Sequence, residues 1–212
     1  MCGRYDTTGR FAWAEIHRAL STYGTVATAP LNLEPNDDVR PTTRQAIARL
    51  EDGAFHVEQA RWGFIPFWAN GKTLDAACRG KGGKTLSTFN ARTDVSPMYR
   101  AAVKSQRCVA PASGWYEWTG EKGAKVKHRF ARKDGGLIWF AGVWSRVQLS
   151  DVGETATFTI FTGPSEGFLA DYHDRQPVIL EPEEITAWLD CANDTQPFFD
   201  ARRPDRFEVG LS

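Results

Sequence analysis

Cysteine is scarce in this chain, and the few present are scattered. Cys2, Cys78, Cys108 and Cys191 form no CxxC pair. That spacing speaks against a structural zinc site, whose ligands come in closely spaced pairs, and against a disulfide-stapled small domain. No metal and no cofactor are expected. Long apolar runs are missing too: nothing approaches the ~20 residues of a membrane span, and nothing resembles a secretory h-region. These two absences point to a reducing, cytoplasmic compartment and to no membrane partner. Excess charge is also missing, since 26 basic residues balance 26 acidic ones. The chain as a whole therefore does not announce nucleic acid. No internal repeat, no linker and no GxxxxGK[ST] phosphate loop occurs.

What is present is a core. With 212 residues, 42% of them hydrophobic and 12% aromatic, the chain can bury one sizeable interior, and one domain over 1–212 is expected. Its charge is unevenly spread. Residues 71–107 hold eight basic side chains (Lys72, Arg79, Lys81, Lys84, Arg92, Arg100, Lys104, Arg107) against Asp75 and Asp94, so this segment is locally cationic. It contains CRGKGGKT, a stretch polar and flexible enough to follow a phosphate backbone.

The periodicities give short strands and few helices. Phe11, Ala12, Ile16, Ala19, Leu20 and Tyr23 share a helical face, with Gly24 placed to stop that helix. AIARL and AFHVEQARW flank a turn at EDG. SPMYRAAVKS reads as a helix with Ser96 as N-cap and Pro97 in its first turn. RCVAPASGWYEW, VKHRFARK, LIWFAGVW and TATFTIFT read as four strands separated by loop signals, and EPEEITAWLD as a short helix. The sum predicts an α+β domain on a largely antiparallel, barrel-like sheet with flanking short helices.

Five polar or aromatic features stand out. In MCGRY, loss of the initiator methionine would leave Cys2 with an α-amine and a thiol on adjacent carbons, titrating in model compounds near pH ~8 and ~8.5. In FNARTD, Asn90 and Arg92 share a face if the stretch is extended. GWYEWTG sets Glu117 among Trp115, Tyr116 and Trp118, where desolvation raises a carboxyl pKa and suits it to hold and return a proton. DYHDRQPVIL places His173 and Arg175 before an apolar strand, and WGFIPFWA offers aromatics able to stack on a base. Taken singly, each has an ordinary structural explanation: an edge carboxylate, a turn-forming amide, a half-buried histidine, core aromatics. His17, His56 and His128 get only that explanation. Together, the cysteine, amide, carboxylate, histidine and arginines form the parts list for covalent chemistry at a carbonyl.

In order along the chain, MCGRY, WGFIPFWA, FNARTDV with PMYR, RCVAPASGWYEW and DYHDRQPVIL resemble the successive motifs of the SRAP family (SOS response-associated peptidase), whose members cross-link to abasic sites in single-stranded DNA. The resemblance implies the family's barrel-like α+β fold, Cys2 as nucleophile, Asn90 as active-site amide, and Glu117 and His173 as proton-handling groups. It implies Arg4, Arg92 and Arg175 as phosphate contacts, with Pro41 and Trp68 in the DNA-binding motifs. The partner it implies is single-stranded DNA containing abasic sites, met by a monomer in the cytoplasm, on the nucleoid in a bacterium. The chain departs from the pattern at DVRPT, where Pro41 matches while Asp38 and Arg40 do not.

The chemistry agrees with this. An open-chain sugar aldehyde would condense with the Cys2 amine to an imine, and the thiol of the same residue would close a thiazolidine ring. Proton loss from C2′ of the imine would instead cut the strand, giving weak lyase activity, and self-removal of Met1 would account for the peptidase label. Two rivals belong to other classes. MCG also opens N-terminal cysteine amidotransferases, whose glutaminase activity would tell them apart. A noncovalent single-strand binder would survive loss of Cys2 unchanged.

Overall fold

Alternation along the strands decides the architecture. The computed structural model describes residues 3–9, 11–94, 96–121 and 123–211. In chain order it contains β1 (Tyr5–Asp6), α1 (Trp13–Ser21), β2 (Arg44–Glu51), β3 (Ala54–Trp62), α2 (Leu74–Ala77), β4 (Asn90–Arg92), α3 (Arg100–Ser105), β5 (Arg107–Ala112) and β6 (Gly114–Thr119). There follow β7 (Val126–Arg132), β8 (Ile138–Leu149), β9 (Gly153–Pro164), β10 (Arg175–Pro177), β11 (Ile179–Leu180), α4 (Ile185–Leu189), α5 (Gln196–Asp200) and β12 (Phe207–Leu211).

Five strands close on themselves: β9 pairs β3, β3 pairs β2, β2 pairs β5, β5 pairs β8, and β8 returns to β9. Closure removes the exposed sheet edges that would otherwise template unwanted pairing. The barrel strands are apolar on both faces. Ile47, Cys108, Ala110, Phe140, Phe158 and Ile160 fill one cluster with Trp62 and Tyr5, whereas the alternate residues Ala46, Ala48, Val109, Trp139, Ala141 and Val143 fill another with Ile16 and Leu20 of α1 and Trp188 of α4. Successive side chains point to opposite faces of a strand, so the first set is the barrel interior and the second the surface the helices cover. The expected barrel-like α+β fold is therefore the observed one. No helix among the described residues is long and apolar enough to cross a membrane.

A second sheet, ordered β1-β6-β7-β12, lies against the barrel. It adds Trp115, Phe130 and Phe207 to the interior cluster, with Trp115 stacked on Phe130 at 4.9 Å and edge-on to Phe207 at 5.2 Å. Truncating Trp115 to alanine would cost about 3–5 kcal/mol, the usual toll for a buried aromatic.

Most of the expected elements are present, with three differences. RCVAPASGWYEW is two strands in two sheets, broken at Ser113, whose amide and hydroxyl bond to the carbonyls of Asp6 (2.8 Å) and Thr8 (2.6 Å). Gly114 is needed at this corner, since a Cβ there would lie 2.8 Å from the Phe130 carbonyl oxygen. The helix expected from Ser96 begins at Arg100 without a side-chain cap, after a turn in which the Tyr99 amide bonds the Ser96 carbonyl at 3.0 Å. The Gly/Lys stretch is a closed loop: Thr73 caps α2, Arg79 bridges to Thr85, and the Leu86 amide reaches the Cys78 carbonyl at 2.8 Å.

The cationic segment is also less exposed than its composition suggests. Arg107 is buried and donates to the carbonyls of Trp188 (3.1 Å), Asp190 (3.3 Å) and Asn193 (2.7 Å), closing the C-terminal end of α4. Arg79 is held by Asp75 at 2.7 Å.

Candidate active site

Glu117 is the centre from which the site can be built. On β6, strand alternation turns Trp115 and Glu117 to one face and Tyr116 and Trp118 to the other. Trp115 anchors its face in the core, and Glu117 follows it inward, only 5% exposed. Burial pushes the Glu117 carboxyl up to about 7, and the nearby Asp174 carboxylate adds to the rise. The aromatic surroundings had predicted that direction. At neutral pH the group is therefore poised between acid and base.

The neighbouring strand brings the N-terminal residues alongside. Tyr5 pairs with Trp115, and the Tyr116 amide donates to the Arg4 carbonyl at 3.0 Å. Continuing that antiparallel register sets Gly3 beside Glu117. Cys2 lies outside the described residues, but its carbonyl carbon is bonded to the Gly3 nitrogen. Gly3, Arg4, Trp118 and Lys125 line an open groove of about 340 Å³, with the Arg4 guanidinium 5.6 Å from the Trp118 ring centroid. Lys127 sits 3.8 Å from the centroid of Tyr116 on the same strand pair.

His173 arrives from the other sheet. A short helical turn, Gly167–Asp171, is anchored by buried Leu169, and Tyr172 then packs edge-on against His128 (4.8 Å) and Phe130 (5.1 Å) of β7. The Arg175 amide donates to His173 Nδ1 at 2.9 Å. Burial lowers the His173 pKa, while the Asp174 carboxylate beside the ring opposes the fall. Asp174 Oδ1 stands 2.6 Å from Nδ1 and pairs with the ring when it is protonated.

The end of β9 gathers the rest. β4 runs parallel to β9 with Asn90 opposite Ile160 and Arg92 opposite Thr162, while β10 pairs on the same strand with Arg175 opposite Pro164. Ala91 is wholly buried in the core, so Asn90 and Arg92 share the opposite face, as the extended reading required. Asn90 is buried; Arg92 is exposed and donates to Asp94 at 3.0 Å. Arg175 donates through Nε and Nη2 to the Thr162 hydroxyl at 3.2 and 3.0 Å and also to the Thr162 carbonyl. Burial depresses the Arg175 pKa, and the positive charge of Arg92 nearby depresses it further. Two arginines thus flank the end of β9, near enough for the charge of one to be felt by the other.

Pro41 shares a small cleft of about 60 Å³ with Trp62, Leu86 and Phe89, the residue preceding Asn90. Trp68 stands elsewhere: with Phe67, 5.2 Å away, it projects from a turn beside the cluster of Ile65, Ala69, Val147 and Leu149. Three participants were not singled out from sequence. Thr162 carries no signal, being one more β-branched residue in a strand. Lys125 and Lys127 follow an aromatic triplet, a pattern that does suit strand binding. A cavity of about 360 Å³ between α1 and the β7–β8 turn is lined by Glu15, Arg18, Tyr23, Arg132 and Asp134 among others, a set that includes none of these groups.

The family model for the SOS response associated peptidase (SRAP) matches residues 1–206. An abasic site processing protein of Saccharomyces cerevisiae is 33% identical over 163 residues, 74% of this chain and 41% of the relative, so the chain spans less than half of that protein. The abasic site processing protein YoaM of Bacillus subtilis is 30% identical over 165 residues, covering 76% of this chain and 68% of the relative. YedK of Escherichia coli, named likewise, is 27% identical over 194 residues, 89% of this chain and 79% of the relative. Among solved structures, a Bacteroides thetaiotaomicron protein superposes with a TM-score of 0.79 at 25% identity over 99% of this chain and 91% of that one. A Bordetella bronchiseptica protein does so with a TM-score of 0.77 at 24% identity over 100% and 99%.

Proposed function

Because the chain belongs to the SOS response associated peptidase family, we propose that it processes abasic sites in DNA, capturing them covalently in single strands through Cys2. The observation that carries this reading is Glu117: a buried carboxyl with a pKa of about 7, on the strand that pairs with the residues leading from Cys2.

The chemistry proceeds as a condensation followed by an intramolecular addition once Met1 is removed, a step we assign to the protein itself. The Cys2 amine adds to C1′ of the open-chain aldehyde, and loss of water gives the imine. The Cys2 thiol then adds across the C=N bond: sulfur bonds to C1′, its proton ends on nitrogen, and a five-membered thiazolidine results. The second step is intramolecular, which favours it by a large effective molarity. Glu117 gives a proton to the departing oxygen and takes one from the amine, both feasible for a group with a pKa of about 7 at neutral pH. His173 hydrogen-bonds a sugar oxygen, and the Asn90 amide orients the sugar. Arg4, Arg92 and Arg175 hold flanking phosphates, Pro41 shapes the approach to β4, and Trp68 stacks on a base. If the imine instead loses its C2′ proton, the C3′–O bond breaks by β-elimination, so a weak lyase activity accompanies capture. No cofactor takes part, and the protein acts as a monomer in the compartment that holds the DNA.

The test mixes the protein with single-stranded DNA bearing one abasic site and runs a denaturing gel. Wild type should give a heat-stable adduct with no reductant. Cys2→Ser should give an adduct only when borohydride traps the imine. A serine variant as stable as wild type would refute ring closure, and cross-linking by a chain with residues still fused ahead of Cys2 would refute the amine.

A further inference from the structure

Arg4 enters the proposed site already engaged by a carboxylate of this chain. The isolated bridge between Tyr5 and Val39, with amide-to-carbonyl distances of 3.3 and 2.9 Å, sets the residues flanking it within side-chain reach. Across it, Asp38 Oδ1 accepts from Arg4 Nη1 at 2.5 Å. Asp38 Oδ2 accepts from Arg40 Nε at 2.7 Å and from Arg40 Nη2 as well. The Asp38 amide is in turn tied to Asn36 Oδ1 at 2.8 Å. The carboxylate is thus held by two arginines, with its backbone tied to Asn36, and it lies at the arginine that lines the groove beside Gly3 and Trp118.

A carboxylate and a phosphate take the same guanidinium donors in the same geometry. We propose that Asp38 is a built-in competitor for the phosphate that Arg4 would bind, weakening the grip of the protein on intact single strands. The inference rests on the DNA reading above and adds to it a residue that sets selectivity. Non-specific binding depends on phosphate contacts and is blunted by the competitor. Covalent capture depends on the aldehyde, which intact DNA lacks, so the ratio of capture to idle binding rises. Arg40 keeps Asp38 ionised and in place, holding its carboxyl below the usual range.

The experiment measures the affinity of wild type, Asp38→Asn, Asp38→Glu, Arg4→Ala and the double variant Asp38→Asn/Arg4→Ala for an intact fluorescent single-stranded oligonucleotide, by anisotropy at several salt concentrations. Asp38→Asn should bind about three- to tenfold tighter at low salt, the range expected when a partly exposed ion pair stops competing. Its salt dependence should steepen by ~0.7 in slope, one further phosphate contact. Asp38→Glu keeps the charge and should stay within about twofold of wild type. In the Arg4→Ala background the gain from Asp38→Asn should disappear, since the two act as one unit.

Equal affinity and slope for wild type and Asp38→Asn would overturn the competitor role. Weaker binding by Asp38→Asn would overturn it too, because Asp38 would then be positioning Arg4 for the strand. A full gain persisting in the double variant would overturn the assignment to Arg4. Asp38→Ser removes the same charge with a smaller side chain and must change affinity in the same direction, which keeps the test open if the asparagine variant melts early. A wild-type protein that fails to bind the strand at all would instead defeat the DNA reading itself, with this proposal falling as its dependent.

Discussion

Two carboxylates on paired strands, Asp6 of β1 and Glu117 of β6, are buried to nearly the same depth, 0% and 5% exposed, and meet opposite fates. Burial pushes both upward. At Asp6 it is outweighed by Arg129, which donates from Nε at 2.8 Å and Nη2 at 3.0 Å, and by the Thr8 hydroxyl at 2.7 Å, so the pKa falls below the ordinary 3.8. At Glu117 burial prevails and the pKa reaches about 7. Depth therefore does not decide charge; the balance between desolvation and the charges and donors around the group does. One end of the β1–β6 pair is a locked ion pair that holds the sheet together. The other end, beside Gly3, holds a carboxyl able to exchange a proton at neutral pH.

Asp6→Asn leaves Arg129 without its anionic partner and should cost on the order of 3–5 kcal/mol of stability, read by chemical denaturation. A loss under about 1 kcal/mol would mean the pair is only a surface contact. The sign with pH follows from the depressed pKa. The contribution of Asp6 is complete above the ordinary value of 3.8 and is lost as pH falls through the lower folded value.

Glu117 should behave the other way. Its folded pKa of about 7 lies above the ordinary 4.5, so the native state keeps a proton that the unfolded chain has released. Stability therefore falls as pH rises between these values and stays reduced above them, by about 3 kcal/mol. Glu117→Gln should abolish that slope, becoming more stable than wild type by about 3 kcal/mol at pH ~8.5 and differing little at pH ~4.5. Parallel melting curves for the two proteins across this range would contradict the buried-acid assignment.

How far the sequence anticipated this contrast follows from the range of the forces involved. The barrel strands, the first helix and the β2–β3 turn at Asp52 and Gly53, both with positive φ, were legible because alternation, helical spacing and turn chemistry are local. The raised pKa of Glu117 was legible because its aromatic neighbours are adjacent in the chain. Asn90 and Arg92 sharing a face needed only an extended backbone. What escaped was set by distant partners. The strand break at Ser113 depends on the carbonyls of Asp6 and Thr8, more than 100 residues away. Arg107 looked like surface charge in a basic stretch, yet caps a helix 81 residues downstream. The hold of Asp38 on Arg4 spans 34 residues and has no local sign.

A smaller effect separates chemistry from binding. Arg92 is exposed, and on the proposed reading it contacts a phosphate, so Arg92→Ala should weaken affinity for intact single-stranded DNA by roughly three- to fivefold and lower the salt slope by ~0.7. Glu117→Gln should leave both within about twofold, because the role proposed for the carboxyl is proton transfer and not strand binding. Loss of strand affinity on changing Glu117 would assign that residue to binding.

The most direct test is the pH dependence of the cross-linking rate with an abasic single strand, measured for wild type and Glu117→Gln under single-turnover conditions. For wild type the rate should change slope near pH 7, where Glu117 titrates. In the glutamine variant that inflection should vanish and the rate should fall by about 10²-fold or more, the usual contribution of a positioned acid–base group. An unchanged profile and rate in Glu117→Gln would contradict the claim that this buried carboxyl moves the protons of capture.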